Sequence, residues 1–161
     1  MWGWLGRIQS AALAFALFAY PPQTTTGVLP DLAIGFNPPE GPGYVVSSKC
    51  EAGKPLITFL LVVTNIGSLN SQPIDDDSGV TVTDQDDPYW SVGAPLGAIP
   101  AGHIQALNLS LPGRAGLHGT HEFAINVNAR EEFEEYSFAN NTANVAVTIP
   151  QGLCPPASGR H

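Results

Sequence analysis

Leu56–Gly67 reads LITFLLVVTNIG. Seven of its first eight residues are apolar, and Ile57, Thr58, Val62, Val63 and Thr64 are branched at Cβ. Branching at Cβ crowds a helical turn but fits a pleated surface, so the stretch reads as a strand. It is short, and turn sequences bound it: Gly53-Lys54-Pro55 before, Asn65-Ile66-Gly67-Ser68 after. That is the pattern of a buried central strand. Alternation sets Ile57, Phe59, Leu61 and Val63 on one face and Thr58, Leu60, Val62 and Thr64 on the other. The first set is the better core face, and a strand this apolar needs a second sheet packed on it.

The rest of the chain supplies such a sheet. Upstream, Pro30–Phe36 alternates Leu32, Ile34 and Phe36 on one face and reads as an edge strand. Asn37–Gly43 breaks it, and Tyr44–Ser48 re-enters the sheet briefly. Downstream, Val80–Thr83, Tyr89–Val92, His103–Leu111, His121–Asn128 and Thr142–Ile149 are short runs between Gly, Pro, Asn and Asp clusters. Leu107, Leu109 and Leu111, then Phe123, Ile125 and Val127, then Val145, Val147 and Ile149 alternate with small or polar residues. Leu96 and Ile99 tuck inward from the loop Gly93–Gly102. No segment carries a long helical period and there is no internal repeat. The expected fold is an all-β, immunoglobulin-like sandwich of about seven strands.

The length of 161 residues suits one domain, placed at 30–150, plus extensions. Residues 1–20 hold a single charge, Arg7, and Ile8–Tyr20 is mostly apolar before Pro21-Pro22. A basic start and an apolar run too short for a comfortable span read as a secretory signal forming a short hydrophobic helix. The alternatives are an uncleaved anchor, the only route to a membrane, and a buried helix. Residues 21–29 read as a linker and 151–161 as a polar tail. The formal charge of −8 argues against nucleic acid or anionic lipid as partner, and plain solubility also accounts for it.

An exported chain with two cysteines invites a disulfide. Cys50 precedes the central strand and Cys154 follows the last one. In the sandwich both come to one end, which favours the pair Cys50–Cys154 over two free thiols. Neither cysteine has redox or zinc spacing.

Three acidic or histidine groups invite a chemical reading. Asp75-Asp76-Asp77 and Asp84-Gln85-Asp86-Asp87 flank one short strand, so Asp75, Asp76, Asp77, Asp84, Asp86 and Asp87 are weak cation candidates lacking a calcium-loop spacing; solvated turn carboxylates are the simpler reading. His118 and His121 form an HxxH without a third ligand nearby, and His103 lies elsewhere. Glu131, Glu132, Glu134 and Glu135 share one loop with no groove implied. No nucleophile motif, zinc motif or phosphate loop occurs, so neither enzyme nor cofactor is expected. Asn65, Glu135, Asn140 and Asn141 read as structural loop residues that bond nearby backbone. Tyr89-Trp90 is a possible stacking platform for glycan, although such residues more often pack a core. Leu60 and Val62, on the outward side of the central strand, are a candidate contact surface.

Five fragments stand in one order: Pro30-Asp31-Leu32; Val63-Thr64-Asn65-Ile66-Gly67; Leu96-Gly97-Ala98-Ile99-Pro100-Ala101-Gly102; Val127-Asn128 before an acidic loop; and Asn140-Asn141 before the last strand. Together they resemble the CARDB family, the cell-adhesion-related domains of bacteria and archaea. The resemblance implies an Ig-like, non-catalytic extracellular module whose partners are other proteins or cell-surface components, with a glycan-binding accessory role as the alternative and a cation-dependent module behind it. The family usually has Asp at the place of Asn128 and Glu at the place of Phe138, whereas Glu135 matches its acidic position. Those departures weigh against an ion in this loop.

Overall fold

The computed structural model describes residues 28–154. The signal-like segment, the linker up to residue 27 and the tail beyond Cys154 lie outside them. Eight strands follow one another: β1 (Leu32–Phe36), β2 (Tyr44–Glu51), β3 (Lys54–Asn65), β4 (Val80–Asp84), β5 (Ser91–Ala94), β6 (Ile104–Pro112), β7 (Gly119–Val127) and β8 (Thr142–Ile149). One antiparallel sheet is built on β3, and the other has the order β5-β4-β7-β8. The two sheets make the expected all-β sandwich.

β3 has only two edges, and β6 occupies one from Leu56 to Thr64. β1 and β2 therefore share the other, β1 opposite Leu61–Asn65 and β2 opposite the half that begins at Lys54. Asn37 N–H donates to the Leu60 carbonyl at 3.0 Å, and Leu60 N–H donates to the Gly43 carbonyl at 2.9 Å. The excursion 37–43 thus leaves and rejoins the edge at a single residue. Eight strands fill seven positions, which is why a sequence count of about seven fits the architecture.

Ile57, Phe59, Leu61 and Val63 are fully buried, as their alternation requires, each removal from water contributing about 1.5–3 kcal/mol. Phe59 meets Phe123 of the opposite sheet edge-on at 5.1 Å between ring centroids, and Phe123 meets Trp90 at 5.2 Å. Leu96 and Ile99 are buried from their loop, Leu96 through a bridge to Ile74. The strand expected at Tyr89–Val92 begins only at Ser91. Asp84 captures the residues before it in a turn: its Oδ1 accepts from the Asp86 and Asp87 amides at 2.9 and 2.8 Å. The run beginning at Tyr44 is longer than expected, reaching Glu51 through a register break after Ser47.

Cys50 and Cys154 form a disulfide with Cα atoms 5.7 Å apart, joining β2 of one sheet to the segment after β8 of the other. The bond closes a sequence separation of 104 residues. Removing that much loop entropy from the unfolded chain is worth about 4–5 kcal/mol in the chain-entropy account. Replacing both cysteines by Ser should lower unfolding free energy in denaturant titration by about 3–5 kcal/mol with the midpoint moving accordingly. An unchanged midpoint would contradict this.

Candidate functional site

At the end of the sandwich opposite the disulfide, the strand termini converge on a buried polar cluster. Glu135, in the loop between β7 and β8, is 6% exposed. Its Oε2 accepts from the Leu32 amide at 2.6 Å, and its Oε1 accepts from Asn128 Nδ2 at 2.7 Å and Asn141 Nδ2 at 2.8 Å. A carboxylate taken out of water is costly unless donors replace the water, and three N–H groups do so here. Asn128 is held as tightly. Its Nδ2 also donates to the Phe133 carbonyl at 3.1 Å, and its Oδ1 accepts from the Glu132 amide at 2.8 Å. Its φ of 48° lies in the left-handed region that Asn tolerates better than most residues.

The neighbouring residue, Asp31, joins a second set of bonds. Asn140 Nδ2 donates to Asp31 Oδ1 at 2.9 Å, and the Asp31 amide donates to Asn65 Oδ1 at 3.1 Å. Asn65 Oδ1 also accepts from the Gly67 amide at 3.1 Å, while its Nδ2 donates to the Leu69 and Ile99 carbonyls at 2.7 and 2.8 Å. Gly67 is required at its place: a Cβ there would lie 2.5 Å from both the Asp31 amide nitrogen and the Leu29 carbonyl oxygen. Through residues 31 and 32 the two sets become one clasp, gripping the start of β1 with the end of β3 and the loop between β7 and β8. It ties sheet to sheet as the disulfide does at the other end.

The residues read as structural from sequence, Asn65, Glu135, Asn140 and Asn141, all belong to this clasp. Asp31 and the amide of Asn128 are members that pattern reasoning did not assign; a buried acid at the start of a strand has no periodicity to betray it. Glu131, Glu132 and Glu134 are exposed on the same loop, so the four acids do not converge.

The aspartate clusters lie at the two ends of β4 and are individually committed. Asp76 Oδ1 accepts from the Ser78 hydroxyl and amide, and its Oδ2 pairs with Arg130 at 3.0 Å. The Ser78 hydroxyl bond, first among its neighbours, holds the Asp76 carboxyl below its ordinary range. Asp87 pairs with Arg114, and that bond chiefly lowers its carboxyl. Asp84 is buried, with Oδ2 lacking a hydrogen-bond partner and 3.5 Å from His121 Nδ1. Asp75, Asp77 and Asp86 are exposed. Hard cations need several free oxygens at one point; Asp76, Asp87 and Oδ1 of Asp84 already face N–H, O–H or guanidinium donors. Among the described residues no three His, Cys, Asp or Glu groups come together to hold a metal ion. His118 and His121 are adjacent in the turn and the first strand turn of β7, and His103 is apart from them, its Nδ1 3.0 Å from the Ala101 carbonyl.

The paired platform Tyr89-Trp90 does not form. Tyr89 is 95% exposed, whereas Trp90 is buried, donates Nε1–H to the Pro112 carbonyl at 2.9 Å, and lies under the Arg114 guanidinium at 5.3 Å. An indole is largely apolar and the core end needed closing, so packing wins over display. Leu60 and Val62 are half-buried on the outer face of β3.

Glu135→Gln turns one acceptor oxygen into a donor that must face either the Leu32 amide or two Asn amides. Asn128→Asp sets a second carboxylate against Glu135. Each should cost about 2–4 kcal/mol in denaturant unfolding, and a loss below about 0.5 kcal/mol in both would show that the clasp is not structural.

A scan of protein families finds no match, and no curated protein matches. Among solved structures, the chain is similar to the crystal structure of the CARDB domain of a Pyrococcus furiosus protein in complex with di-metal ions. The two share 17% identity over 75% of this chain and 94% of that one, with a TM-score of 0.50. The solution NMR structure of that domain aligns at 20% identity over 74% of this chain and 94% of that one, with a TM-score of 0.46.

Proposed function

We propose, for a chain whose fold is that of a CARDB domain, that it is an exported, non-catalytic module acting through protein–protein contacts in cell adhesion or surface scaffolding. The disulfide carries this reading. Such a bond persists in oxidising compartments and is rare where thiols are kept reduced. The signal-like start of the sequence agrees with it. A further feature supports contact rather than chemistry. The buried acid that a catalytic reading would seize on, Glu135, has both oxygens occupied by N–H donors.

Di-metal binding belongs to the Pyrococcus furiosus domain. In this chain the carboxylates of Asp76, Asp87 and Glu135 are bonded to donors of the protein itself, and the proposal involves no cation. The test is fractionation of the source cells followed by non-reducing peptide mapping. The expected result is protein outside the cytosol with the Cys50 and Cys154 peptides linked. Cytosolic protein with two alkylatable thiols would overturn the proposal.

A further inference from the structure

We infer that Asn108 is an N-glycosylation site, carrying an oligosaccharide on its side-chain amide, and that Asn140, in a motif of the same form, stays bare. The inference rests on the export reading above, because this transfer acts on exported chains.

An Asn followed two residues on by Ser or Thr, with no Pro between them, is the acceptor pattern for N-linked sugar. The sequence holds two such motifs, Asn108-Leu109-Ser110 and Asn140-Asn141-Thr142. A pattern this short recurs by chance, and the fold separates the pair. Asn108 lies on β6, which pairs with β3 alone and so ends its sheet. Leu109 is buried while Asn108 and Ser110 are exposed, so alternation turns the Asn108 side chain out to water on the same side as Ser110. Directly opposite on β3 stands Leu60, which offers the amide nothing to bond. Among the described residues the Asn108 side chain makes no hydrogen bond, although it is exposed along a paired strand.

Asn140 is built the other way. Its Nδ2 donates to Asp31 Oδ1 at 2.9 Å and its Oδ1 is buried, so the amide is enclosed in the clasp. A sugar ring on that nitrogen has to displace the start of β1. The folded chain therefore has room for a glycan at residue 108 and none at residue 140.

The reaction joins the Asn108 amide nitrogen to the anomeric carbon of a lipid-phosphate-linked oligosaccharide. A C–N bond forms and the bond from that carbon to the phosphate oxygen breaks. The lipid phosphate leaves with the electron pair, and one amide proton passes to a base of the transferring enzyme. Nothing is oxidised or reduced. The enzyme reads the hydroxyl two residues on, and in the finished sheet Ser110 Oγ is bonded to Thr58 Oγ1 at 3.0 Å. Transfer therefore precedes the pairing of β6 with β3, and the fold has only to leave the product in water.

Peptide mapping by mass spectrometry tests this on protein purified from its source cells, without reduction, so that one digest also reads the Cys50–Cys154 link. The expected result is a glycan mass on the peptide holding Asn108 and none on the peptide holding Asn140. Asn108→Gln and, separately, Ser110→Ala should each abolish the added mass. The second keeps the acceptor nitrogen and removes only the hydroxyl that the enzyme reads. Ser110→Thr keeps that hydroxyl and should retain the glycan, and its loss there overturns the inference. Bare Asn108 in protein found outside the cytosol with both cysteines linked overturns the inference but leaves the export reading standing. Cytosolic protein with free thiols overturns both. Sugar on Asn140 of the disulfide-linked chain, or sugar on Asn108 that survives Ser110→Ala, overturns the inference as well.

Discussion

The three N–H groups around the Glu135 carboxylate are the constraint on which this end of the molecule depends. One comes from the backbone of β1, one from the residue just after β7, and one from the residue just before β8. A buried carboxylate cannot leave any of these unfilled without paying part of its desolvation, so the loop and both strand ends adopt the arrangement that fills them. The left-handed turn at Asn128 accompanies its bond to Glu135, and the close pass of Leu29–Asp31 over Gly67 is held by Asn65, whose Oδ1 accepts from both the Asp31 and Gly67 amides. β1 is an edge strand of five residues, and the clasp adds side-chain bonds at its start to its backbone pairing with β3.

The disulfide does the corresponding task at the other end by a different term. It acts mainly on the unfolded chain, by restricting a long loop, whereas the clasp acts on the native state through hydrogen bonds to charge. Between them lies a core of ordinary sandwich type, with Phe59, Phe123 and Trp90 stacked edge-on across the sheets. Both outer faces carry hydrogen-bonded hydroxyl pairs, Thr58 with Ser110 on the β3 sheet and Thr120 with Thr148 on the other.

The strands were legible because burial on one side writes a period of two into the sequence, as in His121–Asn128 and Thr142–Ile149, whereas the central strand was marked by its β-branched apolar run between turns. The pairing of Cys50 with Cys154 was legible because topology brings both to one end. Asn65, Glu135, Asn140 and Asn141 could be marked as loop-forming from their chemistry. Their assembly into one clasp around Asp31 and Glu135 could not, since residues 31, 32, 65, 128, 135, 140 and 141 meet only after both sheets have formed. Trp90 shows the opposite limit: side by side, Tyr89 and Trp90 look alike in sequence, and only the Asp84 turn decides that one faces water and the other the core. The shared edge of β1 and β2 was likewise hidden, because a break such as Asn37–Gly43 reads the same whether the chain changes strand or rejoins the one it left.

The central claim is that Glu135 locks the start of β1 as firmly as the core is locked. Native-state hydrogen exchange at the Leu32 amide measures this directly, since that N–H donates to Glu135 at 2.6 Å. The account predicts that it exchanges only through global unfolding, with the same free energy of opening as the amides of Phe59 and Leu61 in the centre of β3. Exchange by local fraying, several kcal/mol easier than at those central amides, would contradict it.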